Sequence, residues 1–233
     1  MSQSAFAFMP ETFLMRKFII HHSTLVLSLV FSVALTAGRV FYTGELTYIF
    51  LIWNLFLATL PYIFSLMVGS ASRAVRFGGV ALCIFFLPNA PYIITDLFHL
   101  RWHSEPSIWF DTLLIASFAW NGLLLFFHTL QRLEAYLAKG WNYFRKMGGV
   151  FLLCSLCAYG IYIGRYMRYN SWDVFVRPME VFYDLSSHLF HPWEHPRTWS
   201  MTLVYAFFLM IGYCNFRFRG LLPGRLPISK SVR

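Results

Sequence analysis

Charge is what this chain has least of. Only 12% of its 233 residues are Asp, Glu, Lys or Arg, where ordinary soluble domains carry roughly 25%. A soluble protein this poor in charge and 58% hydrophobic would expose large sticky patches, so the composition points to an integral membrane protein. Acidic residues are the scarcer sign, 10 against 19 basic, for a formal charge of +9. That excess does not make a nucleic-acid binder. The basic residues fall between apolar runs instead of gathering on one solvated face. Membrane lipids are the expected partners. Cysteine is scarce too: Cys83, Cys154, Cys157 and Cys214 all lie inside apolar runs, which excludes a disulfide framework. Cys154-Ser-Leu-Cys157 matches CxxC, but redox or zinc chemistry needs a polar, accessible setting, so packing is the better reading. No acid stands near the middle of an apolar run, which argues against a proton-relay pump. No activated Ser or Cys nucleophile is evident, and whether the protein is an enzyme stays open.

What is there is long apolar helix. A helix needs roughly 20 apolar residues to cross a bilayer core. Six segments qualify, at about 18–41, 47–68, 77–94, 108–130, 148–164 and 198–216. The first has a basic flank, Arg16 and Lys17, but its run is long and no A-x-A site follows, so it reads as an uncleaved anchor. The expected fold is all-α, a polytopic bundle of about six transmembrane helices forming one membrane domain over residues 1–233.

Orientation follows from the basic residues. With a cytoplasmic N-terminus, 13 of the 19 fall inside; Arg39, Arg101, Arg165, Arg168, Arg177 and Arg197 do not. Six spans then put both termini in the cytoplasm, a multi-pass protein of a bacterial inner membrane. The acids were not used in that assignment, yet eight of the ten lie toward the outside, with five of the eight histidines. A functional site is therefore expected on the extracytoplasmic face. The long link from about 165 to 197 also faces out. Within it, Val176, Met179, Phe182 or Tyr183, Leu189 and Phe190 fall near one stripe, and Pro178 can occupy a first helical turn. This predicts an amphipathic helix on the outer surface.

Three stretches carry candidate chemistry. In "FLPNAPYIITDLFHL", Phe86–Leu100, two prolines bracket Asn89 near the outer end of span three. Pro88 and Pro91 lack backbone N–H groups, so the carbonyls of Ile84 and Leu87 lose their helical partners. In lipid such groups must be satisfied by neighbours, water or ligand. The segment reads either as a packing kink or as a broken helix lining a polar cavity. Asp96, His99 and His103 follow on one helical face. That spacing is a candidate divalent-metal pattern, although such patterns arise by chance and hydrogen-bonded pairing is favoured. Asp111 opens the next span and is expected to face the same site.

The second stretch is "GIYIGRYMRYNSWD", Gly160–Asp173. Gly160 and Gly164 form GxxxG, which admits close helix approach, within the chain or to an oligomer partner. Arg165 and Arg168 follow, then Asn170, Ser171 and Asp173. Arginine suits two-pronged recognition of carboxylate or phosphate. The bland alternatives are snorkelling beside belt tyrosines and pairing with Asp96, Asp111 or Asp173. The third, "HPWEHP" at 191–196, matches the H-x-x-E-H zinc-peptidase pattern, but Pro192 and Pro196 break the helix that motif needs. Asn54 and Asn121, each after a Trp, read as interhelical hydrogen-bonding residues.

Together "LPNAPYIITDLFHL", Asp111 and "GRYMRYNSWD" resemble a bacterial family of uncharacterised integral membrane proteins, the domain-of-unknown-function family numbered 1361. The resemblance covers about residues 46–216 and implies a multi-spanning inner-membrane protein, with no activity, cofactor or catalytic residue to carry over. The residues themselves suggest an outward polar site with Asp96, His99 or Asp111 as candidate acid–base groups. Asn89, Arg165, Arg168, Asn170 and Asp173 are its candidate ligand contacts. Its expected ligand is an anionic lipid or envelope precursor, bound or modified. A non-catalytic scaffold and a small-solute carrier with a broken third helix are the alternatives.

Overall fold

A computed structural model of the chain describes residues 11–100, 108–169 and 172–219. All regular structure among them is helical. The elements are α1 (Glu11–Thr43), α2 (Phe50–Met67), α3 (Arg73–Phe86), α4 (Asn89–Tyr92) and a 3₁₀ turn, Ile93–His99. Then come α5 (Ile108–Leu137), α6 (Tyr143–Tyr162), a π-turn over Ile163–Met167, α7 (Asp173–Val176), α8 (Pro178–Phe190) and α9 (Pro196–Arg219). Six helical stretches among the described residues are long and apolar enough to cross a membrane: Ser23–Thr43, Phe50–Met67, Arg73–His99, Ile108–Leu137, Tyr143–Met167 and Pro196–Arg217. The protein is thus a multi-pass, all-helical membrane protein.

α5 is the centre. Leu114, Ile115, Phe118, Leu125, Phe126, Leu130 and Leu133 along it are fully buried. α1, α2 and α4 pack around it, while α6 and α9 pair alongside. Asn121 explains part of the α1 docking: its amide donates to the Ser28 carbonyl at 3.0 Å and to Ser32 Oγ at 2.8 Å. Without a hydrophobic drive between helices in lipid, such polar contacts and small residues set which helices meet.

Span three continues through its prolines. The Ile84 carbonyl accepts from Leu87 N at 3.3 Å and the Leu87 carbonyl from Ala90 N at 3.2 Å. Tightening to i→i+3 geometry satisfies the groups the prolines would have orphaned. The helical path therefore runs on to His99.

Among the described residues, four of the five arginines outside the main basic clusters have partners. Arg39 pairs with Asp111, Arg165 approaches Asp96, Arg177 bridges Asp173 and Glu180, and Arg197 lies over the Tyr166 ring. The Arg39–Asp111 pair is buried and two-pronged, at 2.6 and 3.2 Å.

α8 forms where an amphipathic helix was expected, with Pro178 in its first turn. The expected stripe lies on its exposed side: Met179, Phe182, Tyr183, Leu189 and Phe190 are exposed, whereas Val181 and His188 are buried. The inner side also carries polar groups bonded to neighbouring elements, His188 to Tyr159 and Asp184 to Tyr169.

Candidate functional site

A cavity of about 830 Å³ opens between α2, the α3–α4 wall, the end of α6 and the α7–α8 segment. That lies within the roughly 300–1,000 Å³ typical of small-ligand sites. Its walls are two-toned. Leu57, Ala81, Ile84 and Leu156 line one part, and Asn54, Asn89, Asp96, His99, Arg165 and Tyr169 another.

Glycine makes the α4–α6 contact that forms one wall. A Cβ on Gly160 would stand 2.7 Å from Pro88 Cβ, and one on Gly164 would stand 3.0 Å from the Tyr92 ring. The GxxxG pair is used here within the chain, against the broken part of span three. Asn89 joins the wall, donating its amide to the Phe86 carbonyl at 3.0 Å.

Asp96 is the buried centre of the polar part, only 1% exposed. The 3₁₀ turn over Ile93–His99 aims it inward, where Asn54 Nδ2 donates to its Oδ2 at 2.8 Å. The other oxygen faces two cations or cation-capable groups, His99 Nδ1 at 3.7 Å and an Arg165 nitrogen at 3.8 Å. Both distances exceed hydrogen-bonding range. Arg165 also lies 3.4 Å from His99 Nδ1 and spreads over the Phe98 ring at 5.4 Å. Its contact with Asp96 is therefore electrostatic and loose. The Arg39–Asp111 pair, with two short parallel bonds, shows what a committed arginine looks like in this protein.

On the opposite wall Tyr169 donates its hydroxyl to Asp184 Oδ2 at 2.8 Å. That bond to a carboxylate raises the Tyr169 phenol above its ordinary pKa. Arg177 lies over the Tyr169 ring at 5.6 Å and pairs with Asp173 at 3.3 Å. α8 is tied to α6 and α9 through His188. Its Nδ1 lies 3.0 Å from Tyr159 Oη, and its carbonyl accepts from Trp199 Nε1 at 3.2 Å.

The structure thus brings together Asn89, Asp96, His99 and Arg165. Asp111 is placed elsewhere, bonded to Arg39 on α1 and absent from the cavity wall. Asp173 is buried against Arg177 beside the cavity, and Arg168 is exposed, with a left-handed backbone at φ 60° ending the π-turn. Asn170 and His103 lie outside the described residues. Among the described residues no three His, Cys, Asp or Glu side chains converge as metal ligands would. Sequence reasoning missed Asn54 as part of the site. The available signal was its place early in span two, at the height where Asp96 closes span three.

The family model described as "Protein of unknown function (DUF1361)" matches residues 53–211, and the chain belongs to that family. The match spans the cavity wall from Trp53 to Leu185 and leaves out Phe50. No curated protein and no solved structure matches the chain.

Proposed function

We propose that this member of the DUF1361 family binds an amphiphile with an anionic head group, an envelope lipid or lipid-linked precursor, in the Asn54–Asp96–His99–Arg165 cavity. The single observation that carries this reading is Arg165. Its guanidinium is partly enclosed, its side chain 16% exposed, at the polar part of a largely apolar cavity. Among the described residues it has no two-pronged carboxylate bond like that of Arg39. A carboxylate or phosphate entering the cavity would complete that geometry. Asp96, buried behind it, holds the guanidinium in place by charge and is itself fixed by Asn54. The apolar wall suits a hydrocarbon tail. If the bound ligand is turned over, Asp96 and His99 stand beside its head as the acid–base pair.

The test is extraction and mass spectrometry of species co-purified with the protein. Wild type and Arg168→Ala should retain the same anionic amphiphile, and Arg165→Ala should lose it. Removing one partner of a desolvated charge contact costs about 2–5 kcal/mol, a weakening of roughly thirtyfold or more. Identical profiles for wild type and Arg165→Ala would sink the reading.

The orientation belongs to the same proposal: the cavity faces away from the cytoplasm of a bacterial inner membrane. The basic ends at Arg73, Arg76, Lys139, Arg145 and Lys146 support it. In intact cells, Trp193→Cys should react with a membrane-impermeant maleimide, because Trp193 is 92% exposed at the cavity end. Lys139→Cys, also exposed, should react only after lysis. The reverse pattern would invert the topology.

A further inference from the structure

The outward face of α7 and α8 has no part in the anion site. Phe175, Val176, Met179, Phe182, Tyr183 and Phe190 are each more than two-thirds exposed. The inward face puts Val181 and Leu185 on the cavity wall. The polar side chains of the segment are paired, Glu180 with Arg177, Asp184 with Tyr169 and His188 with Tyr159, and an exposed face this apolar belongs in an apolar solvent.

The level of this segment can be read from its neighbours. The Phe175 ring meets the Phe85 ring at 6.0 Å. Phe85 belongs to the middle of span three, 12 residues from Arg73 and 14 from His99. α2 confirms that depth independently. The residues beside Phe85 touch the far half of α2, Cys83 Sγ contacting the Pro61 carbonyl at 3.3 Å and Phe86 stacking near Phe64 at 5.7 Å. Pro61 lies 11 residues along from Phe50, the α2 residue that meets His99, or roughly 16 Å of helix. The chain that leaves span five at Met167 therefore turns back along span three and carries Phe175 down with it.

Its polar groups are arranged to tolerate this. The backbone closes on itself, with Phe175 N and Val176 N both donating to the Trp172 carbonyl and Arg177 N to that of Asp173. The buried Asp173 is paired with Arg177, and Arg177 reaches back over Tyr169, beyond the end of the span. Non-helical backbone survives at membrane depth only where it is satisfied in this way or covered by protein.

We infer that α7 and α8 form a re-entrant element whose outward face lies against the acyl chains of the adjacent leaflet, so that on this side the element stands between the cavity and the bilayer. The inference stands on depth and apolarity and does not need the anion reading. Its test leaves Arg165 untouched.

The experiment is nitroxide labelling of the full chain in phospholipid vesicles, on a Cys214→Ser background because the other three cysteines are buried. Labels go to Phe175→Cys and, as a second site should that variant not fold, Val176→Cys. Val204→Cys on α9 is the lipid-facing reference and Trp193→Cys the aqueous one. At 175 and 176, collisions with oxygen should exceed those with a water-soluble nickel chelate, as at 204, with the ratio reversed at 193. A ratio at 175 and 176 like that at 193 would overturn the inference by placing the face in water. Exclusion of both reagents would overturn it too, by showing a second copy or another protein on that face. A failed anion test combined with a lipid-type ratio would leave this inference standing alone.

Discussion

Asp111→Ala should destabilise the protein by about 3–5 kcal/mol, the usual cost of breaking a buried ion pair from one side. Asp111 is fully buried and Arg39 only 7% exposed. The carboxylate takes both Arg39 bonds, and it sits in the first turn of α5 while Arg39 lies in the last turns of α1. The N-terminal end of α5 thus adds a favourable dipole term to the Asp111 carboxylate. Without Asp111 the guanidinium stays buried beside Tyr48, with one nitrogen, Nη1, that has no hydrogen-bond partner among the described residues. The double variant Arg39→Leu with Asp111→Leu removes both charges and should be more stable than either single charge deletion, because the desolvation cost disappears with the pair. Thermal or SDS-driven unfolding in detergent micelles measures all three. A double variant less stable than Asp111→Ala would refute this account of the pair. Binding at the proposed Arg165 site should persist in any variant that folds, since Asp111 and Arg39 do not line the cavity.

The second large effect is expected from one methyl group. A Cβ at Gly122 on α5 would collide with the Ala90 carbonyl oxygen of α4 and press on the Ile93 side chain. The first obstacle is backbone, so it cannot turn aside as a flexible side chain would. Gly122→Ala should cost about 1–3 kcal/mol by overpacking, and should push out the α4 turn that carries Asn89 to the cavity wall. Gly148→Ala is the matched control. Gly148 lies in the second turn of α6 with nothing within 4 Å of the added Cβ, and removing a helical glycine there should stabilise by about 0.5–1 kcal/mol. Opposite shifts in melting temperature for the same substitution are the expected result. Shifts of the same sign would mean that α4 does not pack on α5 as described.

Much of the architecture was legible in the residues, and the discrepancies have identifiable causes. Span three was expected to end near residue 94 but continues to His99, because i→i+3 bonds rescue the carbonyls that Pro88 and Pro91 would orphan. Span five was expected over 148–164 and runs 143–167. Asn142 accepts from Arg145 N to cap the helix start ahead of the apolar run, and a π-turn extends its far end. Asn54 was read as an interhelical hydrogen-bonding residue, which it is, but its partner is the buried acid of the site.

Alone, the sequence determined the class, six apolar helices in a membrane, and the height at which each polar residue sits along them. Hydropathy and charge report distance along the bilayer normal, because the solvent changes along that axis. That is why Asp96, His99 and Arg165 were placed at one level. What only the tertiary structure decided is direction around each helix axis. Asp111 stands at a similar height and turns to Arg39, while Arg165 turns to Asp96. Helix rotation in lipid is set by close contacts such as Gly160 on Pro88 and Gly122 on Ala90, and those depend on which helices become neighbours. The same holds for α8: packing against α6 and α9 chose Val181 and His188 as the inward side.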